Sequence, residues 1–213
     1  MTRIVYWPFA LPAAMCTTAD EWLRSNLDQL DVDYRLDTWQ RLDDHRPSEL
    51  TRDRVDLIFV GGGNTFRLLD QVKRNGFTEP VREFWMAGGD YYGGSAGAVL
   101  ACEGIEIAEG HDSNEPGLKE LSALGLLAGV SVLPHFSEDQ LPAARQWAED
   151  HGSTVWGLPE SVGLQCRDGR ALVIGAGRLS RISGSAVDHV ESGDTIDFRA
   201  GTFPRERPET GDQ

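Results

Sequence analysis

Positive charge is scarce in this chain: 20 Lys and Arg stand against 34 Asp and Glu, for a formal net charge of −14. That deficit argues against nucleic acid and anionic membrane as partners, because both call for a basic face. The acids are scattered rather than blocked, which reads as a solvated surface. Cysteine is also sparse. Cys16, Cys102 and Cys166 are odd in number and far apart. They suit neither a disulfide framework nor a zinc site, and they fit a reduced, cytoplasmic setting. No apolar run approaches the roughly 20 residues that span a bilayer. The N-terminus lacks the basic stretch, apolar run and cleavage site of a signal peptide, so none is expected. Internal repeats are missing too. What remains is ordinary globular composition, 40% hydrophobic and 25% charged over 213 residues. Such a chain buries a sizeable core as one large domain. The expected organisation is a single α/β domain over 1–202 and a Pro-rich polar tail over 203–213.

Glycine is plentiful, and its placement organises the chain. Asp90-Tyr91-Tyr92-Gly93-Gly94-Ser95-Ala96-Gly97-Ala98-Val99-Leu100 runs from a β-prone stretch through Gly-x-Ser-x-Gly into a helical pattern. In a strand–turn–helix setting that spacing is a nucleophile elbow. Gly93 and Gly97 let the chain turn sharply and let the helix pack close behind. The turn pushes the Ser95 hydroxyl outward and leaves the Ala96 N–H free at a helix N-terminus. The competing reading is a Gly-rich turn whose serine only caps a helix.

Upstream, Arg3 to Phe9 reads as a strand stopped by prolines. Asp20 to Leu30 reads as a helix with Trp22, Leu23, Leu27 and Leu30 on one face and Thr17 or Thr18 as cap. Asp33 to Trp39 alternates as a second strand does. Val55 to Val60 is nearly all apolar, as befits a strand buried on both faces, and runs into Gly61-Gly62-Gly63-Asn64-Thr65. Helical patterns follow at Phe66 to Val72 and Pro80 to Ala87. Beyond the elbow come a short helix over Ala96 to Cys102, a strand over Glu103 to Ala108 and a polar loop over Glu109 to Gly117. Val130 to Leu133 is a strand ending at Pro134-His135, and Gln140 to His151 is a helix. Thr154 to Glu160 is a strand with its end. Val162 to Cys166, Arg170 to Ile174 and Leu179 to Ile182 are short strands. Arg167-Asp168-Gly169 and Gly175-Ala176-Gly177 read as hairpin turns between them. Thr195 to Phe198 is a last strand. The alternation predicts a mostly parallel sheet with helices on both faces and a short antiparallel extension near the C-terminus. Functional loops then gather at the carboxyl ends of the strands.

A serine hydroxyl needs a base within hydrogen-bond reach. Of the five histidines, His45, His151 and His189 read as surface residues. His135 follows an apolar strand and Pro134, and is favoured as base, with His111 second. The alternative for His135 is a structural role at a strand end. The base needs an orienting acid. Glu160 ends the next apolar strand, held by Pro159; Asp112 in the polar loop is its rival, and either could be a plain solvated carboxylate. An oxyanion needs positioned donors, and the Ala96 and Gly63 amides are the candidates. A phosphate cradle at Gly61–Thr65 ranks low, because it has neither a P-loop lysine nor the full dinucleotide glycine spacing.

Four segments together, Phe59-Val60-Gly61-Gly62-Gly63-Asn64-Thr65-Phe66-Arg67-Leu68-Leu69, Gly94-Ser95-Ala96-Gly97-Ala98, Pro134-His135-Phe136 and Gly157-Leu158-Pro159-Glu160, resemble the peptidase E (aspartyl dipeptidase) family of serine peptidases. They stand in family order over roughly residues 55 to 165. The resemblance implies a class I glutamine amidotransferase-like fold with serine in place of cysteine. It implies Ser95 as nucleophile, His135 as base, Glu160 as orienting acid, and the Gly63 and Ala96 amides as oxyanion hole. It further implies small peptide substrates, a dimer, and no cofactor or metal. Asn64, Asp112 and Arg145 are the candidates for binding substrate, Asp112 being the nearest match to a family aspartate after the elbow. Two features depart from the family. Gly94 replaces a tryptophan-type residue before the serine. The His135–Glu160 segment is short and keeps only Arg145 of an arginine-rich stretch that would read a substrate aspartate. The expected activity is hydrolysis of small peptides, with N-terminal Asp as the family's preference. A cyanophycinase-like or other amide hydrolase, or a non-catalytic binding protein, are the alternatives.

Overall fold

The computed structural model describes residues 1–200, with side chains to 198, so the expected tail over 203–213 lies outside the described residues. The elements in order are β1 (Thr2–Trp7), α1 (Cys16–Leu27), β2 (Tyr34–Thr38), β3 (Leu57–Val60), α2 (Thr65–Arg74), α3 (Thr78–Met86), β4 (Asp90–Gly93) and α4 (Ala96–Leu100). Then come β5 (Leu127–Ala128), β6 (Val130–Pro134), α5 (Leu141–His151), β7 (Thr154–Leu158), β8 (Val162–Arg167) and β9 (Arg170–Gly175). The last are β10 (Arg178–Ser183), β11 (Ala186–Glu191), β12 (Thr195–Asp197) and β13 (Arg199–Ala200).

The N-terminal half is a parallel sheet in the order β2-β1-β3-β4. Its central strands β1 and β3 are apolar on both faces because helices cover both. Ile4 and Tyr6 of β1 face α1 through Leu23, while Val5 and Trp7 face the larger core that α2 and α3 complete with Phe66, Leu68, Leu69, Val72, Val81 and Phe84. Parallel pairing leaves the carboxyl ends of β1, β3 and β4 along one edge, where the loops that matter begin.

The second half is a sheet in the order β11-β10-β7-β6, in which β6 and β7 are parallel and β10 and β11 antiparallel. The β12-β9-β8 sheet lies against it, and Ala171, Val173 and Ile196 share a core with Trp156, Leu179 and Val190. The expected fold class therefore holds, with a larger antiparallel part than the sequence indicated.

Four local expectations are corrected. The first helix starts at Cys16 straight from a 3₁₀ turn at Ala13–Met15, so Thr17 and Thr18 lie inside it and cap nothing. The apolar contact with the sheet is made by Leu23 and its i±4 neighbours Ala19 and Leu27; Trp22 and Leu30 are exposed. Residues 103–108 form no strand. Ile105, Ile107 and Ala108 are buried by a 3₁₀ turn over Glu106–Gly110, whose spacing no alternating strand would match. Gly175-Ala176-Gly177 is not a hairpin turn but the crossing from the β8–β9 sheet to the β10–β11 sheet. Strand β11 had no signal in the polar run that contains His189. The Arg167-Asp168-Gly169 hairpin does form, with φ of 51° at Asp168 and 74° at Gly169.

No helix among the described residues is long and apolar enough to cross a membrane.

Candidate active site

The elbow is a product of missing side chains. Ser95 has φ 50° and ψ −111°, a conformation that non-glycine residues reach only when the surroundings force it. The forcing comes from behind. A Cβ on Gly93 would stand 2.4 Å from the Gly97 carbonyl oxygen, and one on Gly97 would stand 2.6 Å from that of Val60. Helix α4 therefore presses its backbone directly onto β4 and β3. Gly94 N–H donates to Val60 O at 3.0 Å, and Gly97 N–H to Gly94 O at 2.9 Å. These bonds close the turn and leave the serine outside it.

The glycine loop after β3 is braced in the same way. Gly63 has φ 136°, and a Cβ there would lie 2.5 Å from the Ala10 carbonyl carbon. Asn64 N–H donates to Ala10 O at 2.9 Å, and the Asn64 side chain caps α2 by accepting the Arg67 N–H at 2.8 Å. Gly63 and Ala96 line the same cleft as Ser95, and neither amide N–H is used by another described residue. Two unused donors beside one hydroxyl suit an oxyanion.

His135 ends β6 in the left-handed region at φ 57°. Phe136 sets that turn: its N–H donates to Leu158 O at 3.0 Å, and its ring lies where a Cβ on Gly157 would fall 2.6 Å away. The imidazole Nε2 is 2.7 Å from Ser95 Oγ, and Nδ1 is 2.5 Å from Glu160 Oε1. Glu160 was expected to be held by packing around Pro159. Its side chain is instead 80% exposed, and that of His135 is 55% exposed. What holds Glu160 is the backbone beside it. Val162 N–H donates to Pro159 O, Ala176 N–H donates to Ser161 O at 2.8 Å, and Ser161 Oγ donates back to Ala176 O. A Cβ on Gly175 would stand 2.1 Å from Ser161 O, so the sheet crossing is glycine for the sake of this clamp.

Asp112 does a different job. Its Oδ2 accepts the Thr65 N–H at 2.8 Å at the start of α2, where the helix dipole favours negative charge. Asn64 Nδ2 donates to Ser113 O at 2.9 Å, and Arg67 pairs with Glu115 at 2.9 Å. The polar loop is thus stitched to α2, and Asp112 makes no hydrogen bond to His135. His111 lines the cleft but has no hydrogen bond to Ser95. Arg145 lies on the exposed side of α5, outside the cleft lining. The other histidines are engaged elsewhere: His45 stacks on Trp39, His151 bonds to Trp147 O, and His189 bonds to Ser180. Ala10, in the turn after β1, had no signal in the sequence, and Thr65 had none beyond following a glycine run.

A parallel α/β sheet that ends in a strained serine elbow, with a glycine loop beside it, defines the class of fold and site. The profile of peptidase family S51 matches residues 2–174, and the chain belongs to that family. A peptidase E of Streptomyces coelicolor (strain ATCC BAA-471 / A3(2) / M145) is 30% identical over 164 residues, covering 72% of this chain and 60% of that protein. A peptidase E of Salmonella typhi is 33% identical over 134 residues, covering 58% of this chain and 57% of that protein. The chain thus matches less than two thirds of the length of these curated relatives. Among solved structures, a peptidase from an acI-B1 Actinobacterium is similar at TM-score 0.65 and 19% identity, covering 92% of this chain and 83% of that one. A Listeria monocytogenes EGD-e protein described as a candidate peptidase E is similar at TM-score 0.60 and 24% identity, covering 89% and 86%. At those identities the structural likeness speaks for the fold alone.

Proposed function

We propose that the chain is a serine peptidase acting on small peptides through Ser95, His135 and Glu160. The observation that carries this reading is the unbroken relay from the Glu160 carboxylate through both ring nitrogens of His135 to the Ser95 hydroxyl. His135 Nδ1–H donates to Glu160, which fixes the tautomer and leaves Nε2 as the acceptor of the serine proton. Ser95 Oγ attacks the peptide carbonyl as Nε2 takes that proton. The carbonyl oxygen, now anionic, sits against the Gly63 and Ala96 amides. His135 then gives its proton to the leaving amine, and the C–N bond breaks. Water, deprotonated by the same nitrogen, releases the acyl group and restores the serine. Asn64 supports substrate binding through the loop it ties down, and membership of peptidase family S51 supports peptides as the substrate class.

A fluorophosphonate probe tests the reading. Covalent labelling mapped to Ser95, lost in Ser95→Ala and in His135→Ala, is the expected result. A folded wild-type protein that takes up no label overturns it.

A further inference from the structure

The cleft beside Ser95 has two unlike sides. Val99, Ile107, Ala108 and Leu133 give it a nearly buried apolar wall. Thr65, His111, Asp112 and Gln140 are its polar lining beside Ser95 and His135. Asp112 uses Oδ2 for the Thr65 N–H, and its Oδ1 has no hydrogen-bond partner among the described residues. Thr65 is 2% exposed. No Lys or Arg lines the cleft. Arg67, the cation nearest in sequence, is held by Glu115. The volume is small, about 140 Å³.

The oxyanion amides and the apolar wall belong to one cleft. A carbonyl seated on Gly63 and Ala96 brings the side chain of its own residue into a cleft lined by that apolar wall and by Asp112. A carboxylate there would lose water to apolar surface and face the Asp112 carboxylate, with no guanidinium or ammonium to offset either cost. A small uncharged side chain meets neither penalty, and Asp112 Oδ1 is left for a peptide's α-ammonium group. We propose that the residue on the acyl side of the scissile bond is small and neutral, of the alanine or serine class, and that Asp112 turns away an acidic one. This departs from the aspartyl preference of the family, and it rests on Ser95 being the residue acylated.

The test is kcat/KM of the full chain on Ala-Leu, Ser-Leu and Asp-Leu, run beside fluorophosphonate labelling. Ala-Leu and Ser-Leu are expected to exceed Asp-Leu by about tenfold or more, equivalent to about 1.4 kcal/mol. Asp112→Asn is expected to narrow that gap at least about threefold, and Ile107→Ala to admit Leu-Leu. Raising the salt from about 0.05 M to about 0.5 M on the wild type should narrow the gap too, a readout that needs no variant to fold. Asp-Leu cleaved as fast as Ala-Leu by a protein that labels at Ser95 overturns this inference and leaves the serine peptidase reading standing. An unchanged gap in both folded Asp112→Asn and high salt overturns the role of Asp112. No labelling and no cleavage of any of the three overturns the serine peptidase reading, and this inference with it.

Discussion

Around Ser95 the chain is fixed by backbone lying on backbone, whereas around His135 and Glu160 it is fixed by hydrogen bonds open to solvent. The elbow's neighbours Ala96, Val99 and Leu100 are buried, and glycines at 93 and 97 let carbonyls approach where any Cβ would collide. The His135 and Glu160 side chains stand at strand ends, more than half exposed. In the first region Gly93 and Gly97 have no room for a Cβ; in the second the same holds for Gly157 and Gly175, while the His135 and Glu160 side chains themselves project toward solvent. Strain is shared between them, since Ser95 and His135 both take positive φ. It is maintained by different means: close packing on one side, the Phe136–Gly157 contact and the Ser161 clamp on the other.

Removing the hydroxyl is the most severe way to break the site. Ser95→Ala should lower kcat by about 10⁴-fold or more with the fold intact, since triad members act as a unit. Peptide turnover and thermal denaturation measured on the same preparation check both halves of that statement. Gly97→Ala should break the packed side specifically. Its Cβ would meet Val60 O at 2.6 Å, so it should cost about 2–3 kcal/mol of stability. It should also shift Ser95 enough to cost about 10²-fold in kcat, while the same change at Gly76 or Gly117, which a Cβ would leave in open space, should spare turnover.

The smallest expected effect lies far from the site. The Arg3 side chain and backbone N–H hold the Asp56 carboxyl well below the usual carboxylate range. A depressed folded-state pKa gives stability above the unfolded value, near about 3.9, and loses it as pH falls toward the folded value. Asp56→Asn should therefore lower the melting temperature at pH 7, and the difference should shrink as the buffer is taken below about pH 4.

The contrast between the two regions also explains what could be read from the residues alone. Backbone turns made by glycine leave a spacing in the sequence, and Gly93-x-Ser95-x-Gly97 announced both the turn and its serine. Apolar strands with a polar residue at the carboxyl end pointed to His135 and Glu160. Contacts made across the fold left no such trace. Nothing in Asp112 distinguishes a helix cap from an orienting acid until α2 is seen beneath it. Ala10 under Gly63 is a single small residue in a turn. Gly175-Ala176-Gly177 has the composition of a hairpin, and only strand pairing reveals a sheet crossing that clamps Ser161. Trp22 and Leu30 fit a helical stripe, yet Trp22 is turned about 100° around α1 from the buried Leu23, and Leu30 lies beyond the helix end at Leu27.

The central claim is that Glu160, and not Asp112, orients His135. Steady-state kinetics of Glu160→Gln and Asp112→Asn on Ala-Leu test it directly. Because the Glu160 carboxylate is exposed and screened, its loss should cost less than that of a buried triad acid, about 10- to 100-fold in kcat with little change in KM. Asp112→Asn should keep kcat within about threefold and act mainly on KM, since Asn can still accept the Thr65 N–H. The reverse pattern, with kcat lost in Asp112→Asn and retained in Glu160→Gln, would contradict the account.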